Sequence, residues 1–191
     1  MSELDRKKWN RKYRENPDLL NRRSPSQMVK IFSHETEGGN AIDLACGSGR
    51  NALYLASIGY HVDAVDIAAT ALDNLKKRIT QMDISLIEAD LESFIPQKDF
   101  YDLAVMSNYL DRNLVKRMAE LLKKEGIFII ETYMKHPENM KKETNPDFLL
   151  DKEELIRLFD DRFDILEYRE FWNETHELYR MRKQGIAVKK K

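Results

Sequence analysis

The chain has 191 residues, with 32 Lys and Arg against 33 Asp and Glu for a formal net charge of -1. That length suits one domain with a single sizeable core, and so even a charge balance excludes a protein built mainly to coat nucleic acid. The composition, 42% hydrophobic and 34% charged, is that of a globular domain, and a lone cysteine, Cys46, excludes an internal disulfide and suits a reducing compartment.

The first stretch, MSELDRKKWNRKYRENP, is charged throughout without a signal-peptide core. No apolar run reaches the length of a membrane span, so the expected address is the cytoplasm, with no membrane partner. Glu3–Glu15 reads as a charged helix ended by Asn16-Pro17, with Trp9 and Tyr13 four apart on one face. Ser24, Pro25 and Gln27 have the spacing of a helix start: cap, first-turn proline and capping-box partner. Met28, Val29, Ile31 and Phe32 supply the apolar side of that helix. Glu37-Gly38-Gly39-Asn40 is a turn.

An alternation then begins. Residues 41–45 form a short apolar strand, 49–58 a helix stopped by Gly59, 61–66 a strand, 68–79 a helix with one apolar stripe, and 84–88 a strand. Only about a turn of helix fits between 91 and 100. A strand over 101–107 follows, then a helix from an Asp111 cap to Lys124, with Lys123 and Lys124 at its negative end. Residues 127–132 are nearly all apolar, as at the centre of a sheet covered on both faces. Residues 133–150 form a long polar loop, a kind that is usually functional or disordered. Asp151 opens a last helix with Glu154 three residues on, and 163–168 and 179–188 read as an antiparallel hairpin ending in a frayed lysine tail. The predicted fold is α/β: a doubly wound, mostly parallel seven-stranded sheet with a C-terminal antiparallel hairpin. It forms one domain over 1–191: a helical cap (1–36), a cofactor-binding core (40–132), a substrate-side loop (133–150), and a C-terminal helix and hairpin (151–188).

The stretch DLACGSGRNALYL, beginning at Asp43, brings backbone close to a ligand at the carboxyl ends of the strands. A phosphate-binding Walker loop is excluded, because Arg50-Asn51 follows Gly49 where a Lys and a hydroxyl are required. The dinucleotide pattern is matched by Gly47, Gly49 and Ala52, with Asp66 ending the second strand; alone it is weak. S-adenosylmethionine accounts for more residues. It carries an amino acid end, a sulfonium and an adenosine, but no phosphate. Asp43 is placed for its amino group, Asp66 for the ribose diol and Asp90 for the adenine amine. A pyrophosphate gains little from a carboxylate where Asp43 stands. Three acids after three successive strands, with glycines between, are more specific than the glycines alone.

On these residues the sequence resembles the class I S-adenosylmethionine-dependent methyltransferases, over most of the chain from about Trp9 to Val188. GRNALYLASIGYHVDAVDI looks like the small methyltransferases of the tellurite-resistance (TehB) type. That family's loop is often D-x-G-x-G-x-G, and here Ala45 replaces the first glycine. The resemblance implies cofactor contacts from Asp43, Ala45, Gly47, Asp66, Ile67, Asp90 and Leu91, and near Ser107-Asn108. Trp9 and Tyr13 correspond to aromatics that close over the cofactor. Cys46 and Asn51, in the loop and the helix start, are counted with these contacts.

Cys46 has no histidine near it in sequence and reads as a small loop residue. His34, His61, His136 and His176 have no metal-ligand spacing, so no metal is expected. Tyr13, Asn108, Tyr133 and His136 are the candidates on the acceptor side. Asn108-Tyr109-Leu110 lacks the Pro-Pro that often follows Asn in methyltransferases acting on adenine or glutamine amides, which disfavours such acceptors. Methyl transfer from a sulfonium is an in-line displacement that needs mainly positioning and desolvation, so the absence of an obvious general base is no obstacle. Lys135, His136, Lys141 and Lys142 lean the covering loop positive and favour a small anionic acceptor. The alternatives are RNA or protein as substrate, with the basic first helix and Lys189–Lys191 as footprint; a nicotinamide-dependent oxidoreductase using the same loop; and a cofactor-binding sensor without turnover. The sequence leaves the oligomeric state open.

Overall fold

The computed structural model describes residues 3–141, 145–174 and 177–191. Its helices are α1 (Glu3–Glu15), α2 (Gln27–Phe32), α3 (Arg50–Ser57), α4 (Ala69–Lys76), α5 (Arg112–Leu121) and α6 (Glu154–Leu158). Its strands are β1 (Asn40–Leu44), β2 (His61–Asp66), β3 (Ile84–Glu88), β4 (Tyr101–Ser107), β5 (Leu122–Tyr133), β6 (Phe163–Trp172) and β7 (Arg182–Lys190). They form one seven-stranded sheet in the order β3-β2-β1-β4-β5-β7-β6. The first five strands are parallel, and β7 enters antiparallel between β5 and β6. The chain reverses its direction of growth between β1 and β4, so a ligand crevice is expected at their carboxyl ends.

Strand alternation sorts the core into two layers. Ile42, Leu44 and Val65 pack on one face with Leu114 and Met118 of α5 and Leu155 of α6. Ala41, Val62 and Ala64 pack on the other with Met28 and Val29 of α2, Ala52 and Leu55 of α3, and Leu72 and Leu75 of α4. Asp43 and Asp66 continue the second set, so both carboxylates point to the face covered by α3.

Several boundaries differ from the sequence reading: α4 ends at Lys76 rather than Ile79, β6 runs on to Trp172 and β7 starts at Arg182, and four further differences have a tertiary reason. The cap of α2 is Ser26, not Ser24: its Oγ accepts the amides of Met28 and Val29, while its own amide donates to Asn51 Oδ1 at 3.0 Å. α5 keeps the Asp111 cap but ends at Leu121, because Leu122 pairs with Tyr101 and Lys123 reaches Asp102 at 2.9 Å. α6 begins at Glu154, whose carboxylate accepts the Asp151 amide at 2.7 Å. The lysine tail is not frayed. β7 runs to Lys190, and Lys189, Lys190 and Lys191 pair with Glu125, Asp99 and Asp164.

Candidate functional site

The loop after β1 turns on three left-handed residues, Ala45 (φ 56), Gly47 (φ 54) and Gly49 (φ 77). Gly49 is the N-cap of α3, and a Cβ there would lie 2.5 Å from both Leu75 methyl carbons, so the glycine lets α3 and α4 close on each other. The two acids beneath the loop fasten it. Asp66 Oδ2 accepts the Gly47 amide at 2.7 Å and Oδ1 accepts the Ala68 amide at 2.8 Å. Asp43 Oδ2 accepts the Ala52 amide, in the first turn of α3, at 3.1 Å. Asp43 is only 1% exposed, and burial pushes its carboxyl up to about 7, against the Ala52 amide and the Arg50 charge that favour ionisation. Burial likewise raises Asp66, and raises the Cys46 thiol well above its ordinary value, which leaves Cys46 an unreactive loop residue.

α1 lies over this loop. Its Asn10 Oδ1 accepts the Thr70 amide at 2.8 Å, at the start of α4. Tyr13 puts its hydroxyl above Gly47, 2.9 Å from where a Cβ would stand, and burial raises its phenol. Trp9 is half-buried, 6.0 Å from the Tyr13 ring and covered by Lys12. Beside α1, at the ends of β2 and β3, a cavity of about 310 Å³ is lined by Glu3, Arg6, Ile67, Glu88, Ala89 and Asp90. Its volume lies at the lower end of the range of small-molecule sites. Asp90 Oδ1 accepts the Glu92 amide at 3.0 Å, and Leu91 is buried in the core behind it. The Tyr109 phenol is raised by burial and by the charges of Asp111, Glu92, Asp90 and Asp5, which places it on the same side. Sequence reading did not single out Tyr109 for this position.

On the opposite side, Asn51 Nδ2 donates to Ser107 Oγ at 3.1 Å, so Asn51 ties α2 to the end of β4. Asn108 is exposed, with φ 60, and its amide donates to the Glu131 carbonyl. Tyr133 is engaged elsewhere: its hydroxyl donates to Glu177, which also accepts Lys183 Nζ at 2.5 Å and Asn173 Nδ2 at 3.1 Å. This ion pair is buried; burial lowers the Lys183 ammonium despite Glu177, while Lys183 holds Glu177 below the usual carboxylate range against burial. Nothing in the sequence announced it beyond a lysine and an acid near the hairpin turn. His136 packs edge-on against Trp172 at 5.1 Å, and Lys135 pairs with Asp151 at 2.7 Å, so neither is brought to the glycine loop. Lys141 lies over the Tyr179 ring; Lys142 and His176 lie outside the described residues. Among the described residues no group of three or more His, Cys, Asp or Glu could hold a metal ion.

The donor set fits an adenosyl amino acid. A carboxylate oxygen has two lone pairs, so each Asp66 oxygen keeps one after accepting its amide, enough for a vicinal diol. Asp43 puts a carboxylate against the first turn of α3, where a dinucleotide site would instead welcome a pyrophosphate. Ile67 and Asp90 line the adjoining cavity, beside the end of β2 that Asp66 closes.

Residues 41–126, spanning β1 to the start of β5, match a family model described as a methyltransferase domain. The cypemycin N-terminal methyltransferase of Streptomyces sp is 34% identical over 78 residues, 40% of this chain and 31% of that protein. TehB from Haemophilus influenzae superposes with a TM-score of 0.77 at 22% identity, over 87% of this chain and 63% of its own. A solved structure from Methanosarcina mazei, described as a S-adenosylmethionine-dependent methyltransferase, gives 0.67 at 20% identity over 88% and 99%. The chain thus spans less than a third of the length of the curated relative it matches, and under two thirds of TehB. Its fold is that of TehB and of solved structures described as S-adenosylmethionine-dependent methyltransferases, and residues 41–126 match the methyltransferase-domain model.

Proposed function

We propose that this chain binds S-adenosylmethionine and transfers its methyl group to a small-molecule acceptor. The observation that carries the reading is the pair of buried carboxylates, Asp43 and Asp66, fastening the Ala45–Gly49 turn at the sheet's switch point, with Asp90 on the adjoining cavity. Asp66 would hold the ribose diol, and Asp90 would accept the adenine amine beside Ile67 and Leu91. Asp43, ionised, would face the ammonium of the amino acid end through the loop. When bound, the cofactor supplies an activated methyl on its sulfonium. This chain's residues then position and desolvate: Tyr13 and Trp9 cover the loop and exclude water, with Asn108 exposed at the end of β4 on the acceptor side. No general base is required for a soft or anionic nucleophile.

An anionic acceptor is favoured by the cations on the covering segments, where Lys12 is held below its ordinary range by burial and by the nearby charges of Lys141 and Lys8. An RNA substrate is less well supported, because the three C-terminal lysines proposed as its footprint are spent on ion pairs within the fold. A peptide amine is a second reading, favoured by the relative named as an N-terminal methyltransferase.

The test is release of S-adenosylhomocysteine from S-adenosylmethionine over a panel of thiols, amines, carboxylates, metalloid oxyanions such as tellurite, and a peptide with a free N-terminus. Turnover with one small-molecule class is expected. Binding without turnover on any member would replace this reading with a sensor, and turnover on the peptide alone would move it to the second.

A further inference from the structure

An open cavity of about 490 Å³ lies between the segment leading into α2 and the loop after β6. Arg22, Arg23 and Lys30 line it, with Glu174 as the one acid. Other cations on this nearly neutral chain do find carboxylate partners, among them Arg6 with Glu3, Lys98 with Glu120 and Arg162 with Asp160. Among the described residues no carboxylate stands within ion-pair distance of Arg22, Arg23 or Lys30; Arg23 donates only to the Asp18 carbonyl, at 3.0 Å. Glu174 is already engaged by Arg50 at 3.2 Å, and the Arg50 side chain is only 14% exposed. The lining therefore stays positive.

Like charges also converge here. Burial draws Arg78 below its ordinary range, and the neighbouring Arg22 draws it further. Arg78 donates to the Ser48 carbonyl of the glycine loop, while its Nε is buried with no partner. Guanidinium groups brought together without counter-charge repel, and a bound anion removes that cost. The Arg23 charge acts on the Tyr13 hydroxyl above Gly47 and on the Tyr133 hydroxyl at the end of β5, opposing in both the rise that burial causes. Arg23 is therefore within electrostatic reach of both.

We propose that this cavity takes the anionic end of the methyl acceptor, a phosphate or carboxylate group carried away from the atom that is methylated, with Arg22, Arg23 and Lys30 as its ligands. The planar forks of the two arginines suit either oxyanion. The proposal rests on the methyltransferase reading above and narrows the acceptor to molecules with such a handle.

The test is calorimetric titration of the protein, free and saturated with S-adenosylhomocysteine, with inorganic pyrophosphate and with citrate. Saturable binding of at least one anion is expected. Arg22→Gln and Arg23→Gln, each checked for an unchanged Tm, should each weaken it about tenfold, and Lys98→Gln should leave it unchanged. Pyrophosphate binding assigns the handle to a phosphate, citrate binding to a carboxylate. No saturable binding of either, or equal binding in the double arginine variant, overturns the proposal. So does tighter binding of mixed RNA with a steep salt dependence, which would mark a polyanion surface. Failure to bind S-adenosylhomocysteine strikes the methyltransferase reading instead, and the anion titration is still scored on the free protein. For an acceptor found by the release screen, Arg23→Gln should raise KM about tenfold with kcat little changed; an unchanged KM overturns its assignment to this cavity.

Discussion

At the scale of single residues, Asp43 carries an electrostatic cost that the fold does not remove. Its native carboxyl keeps a proton up to about pH 7, whereas an unfolded aspartate releases one near its ordinary value of 3.8. Between those limits the folded chain binds more protons than the unfolded one, so stability is fully present below the lower value and is lost as the pH rises through the upper. Urea denaturation of the cofactor-free protein should show a lower midpoint at about pH 8 than at about pH 5. Asp43→Asn keeps an oxygen for the Ala52 amide and should shrink that difference; an undiminished pH dependence would count against Asp43 as its source. The converse holds for binding. An ammonium beside the loop favours the ionised carboxylate, so S-adenosylhomocysteine should bind with proton release below about pH 7, seen as a heat that depends on the buffer.

Asp43 and Asp66 stood out in the sequence as acids at the ends of two apolar strands, and the structure finds both buried beneath the glycine loop; Asp90, just past β3, stood out because one candidate ligand would use all three. Ala45 was legible as a missing glycine, and the structure shows it at φ 56, where alanine is strained. Arg22 and Arg23 were not legible as a pair with a purpose. A loop cation has no period to betray it, and their distinction is that they line one cavity together with Lys30 with no carboxylate at ion-pair distance among the described residues, which only three dimensions display. Asn51 was counted as a cofactor contact from its place in the motif; its side chain bonds to Ser26 and Ser107, a link across elements that no local pattern encodes.

At the scale of elements, periodicity located every strand of the sheet, and the helices were found with shorter ends than their apolar stripes suggested. Residues 122–124 look like a helix end with two lysines at the negative pole, yet pairing with β4 and the Lys123–Asp102 bond draw them into β5. The α3–α4 contact depends on Gly49. Gly49→Ala adds a Cβ at φ 77 against the fully buried Leu75, and should cost roughly 2–4 kcal/mol in urea denaturation. A loss under about 0.5 kcal/mol would mean that Leu75 has room to move away.

α1 is the element whose role is hardest to read from sequence, since its charged helix face suits solvent as well as a ligand. It buries no residue completely, and is held by Asn10 on Thr70, an Arg6–Glu88 contact at 3.5 Å and the Tyr13 hydroxyl over Gly47. An element held so lightly opens readily. Its amides should exchange quickly in the free protein and be protected on addition of S-adenosylhomocysteine, while those of β1 and β4 stay protected throughout. Equal exchange with and without the ligand would make α1 a fixed cap.

At the scale of the whole molecule, five parallel strands followed by an antiparallel pair place the ends of β1, β2 and β3 beside one another and put the loops after β5 and β6 opposite them. On the proposed reading this order would divide the site into an adenosine side at Asp66, Ile67 and Asp90 and an acceptor side towards Arg23 and the hairpin. This division follows from strand order, which right-handed crossovers and the alternation of elements already implied in the sequence. Which side chains of the 133–150 segment face inward did not follow. Lys135 and His136 looked alike as members of a positive wall, yet they turn to Asp151 and Trp172. Among the described residues no helix is long and apolar enough to cross a membrane.

The central claim is that the acids ending the first three strands serve an adenosyl amino acid. Calorimetric titration with S-adenosylhomocysteine, beside NADH, tests it most directly. The account predicts saturable binding of the first and none of the second, with the affinity weakened by about 1–3 kcal/mol in Asp66→Ala. Absent binding of S-adenosylhomocysteine, tight binding of NADH, or an affinity unchanged by Asp66→Ala would contradict it.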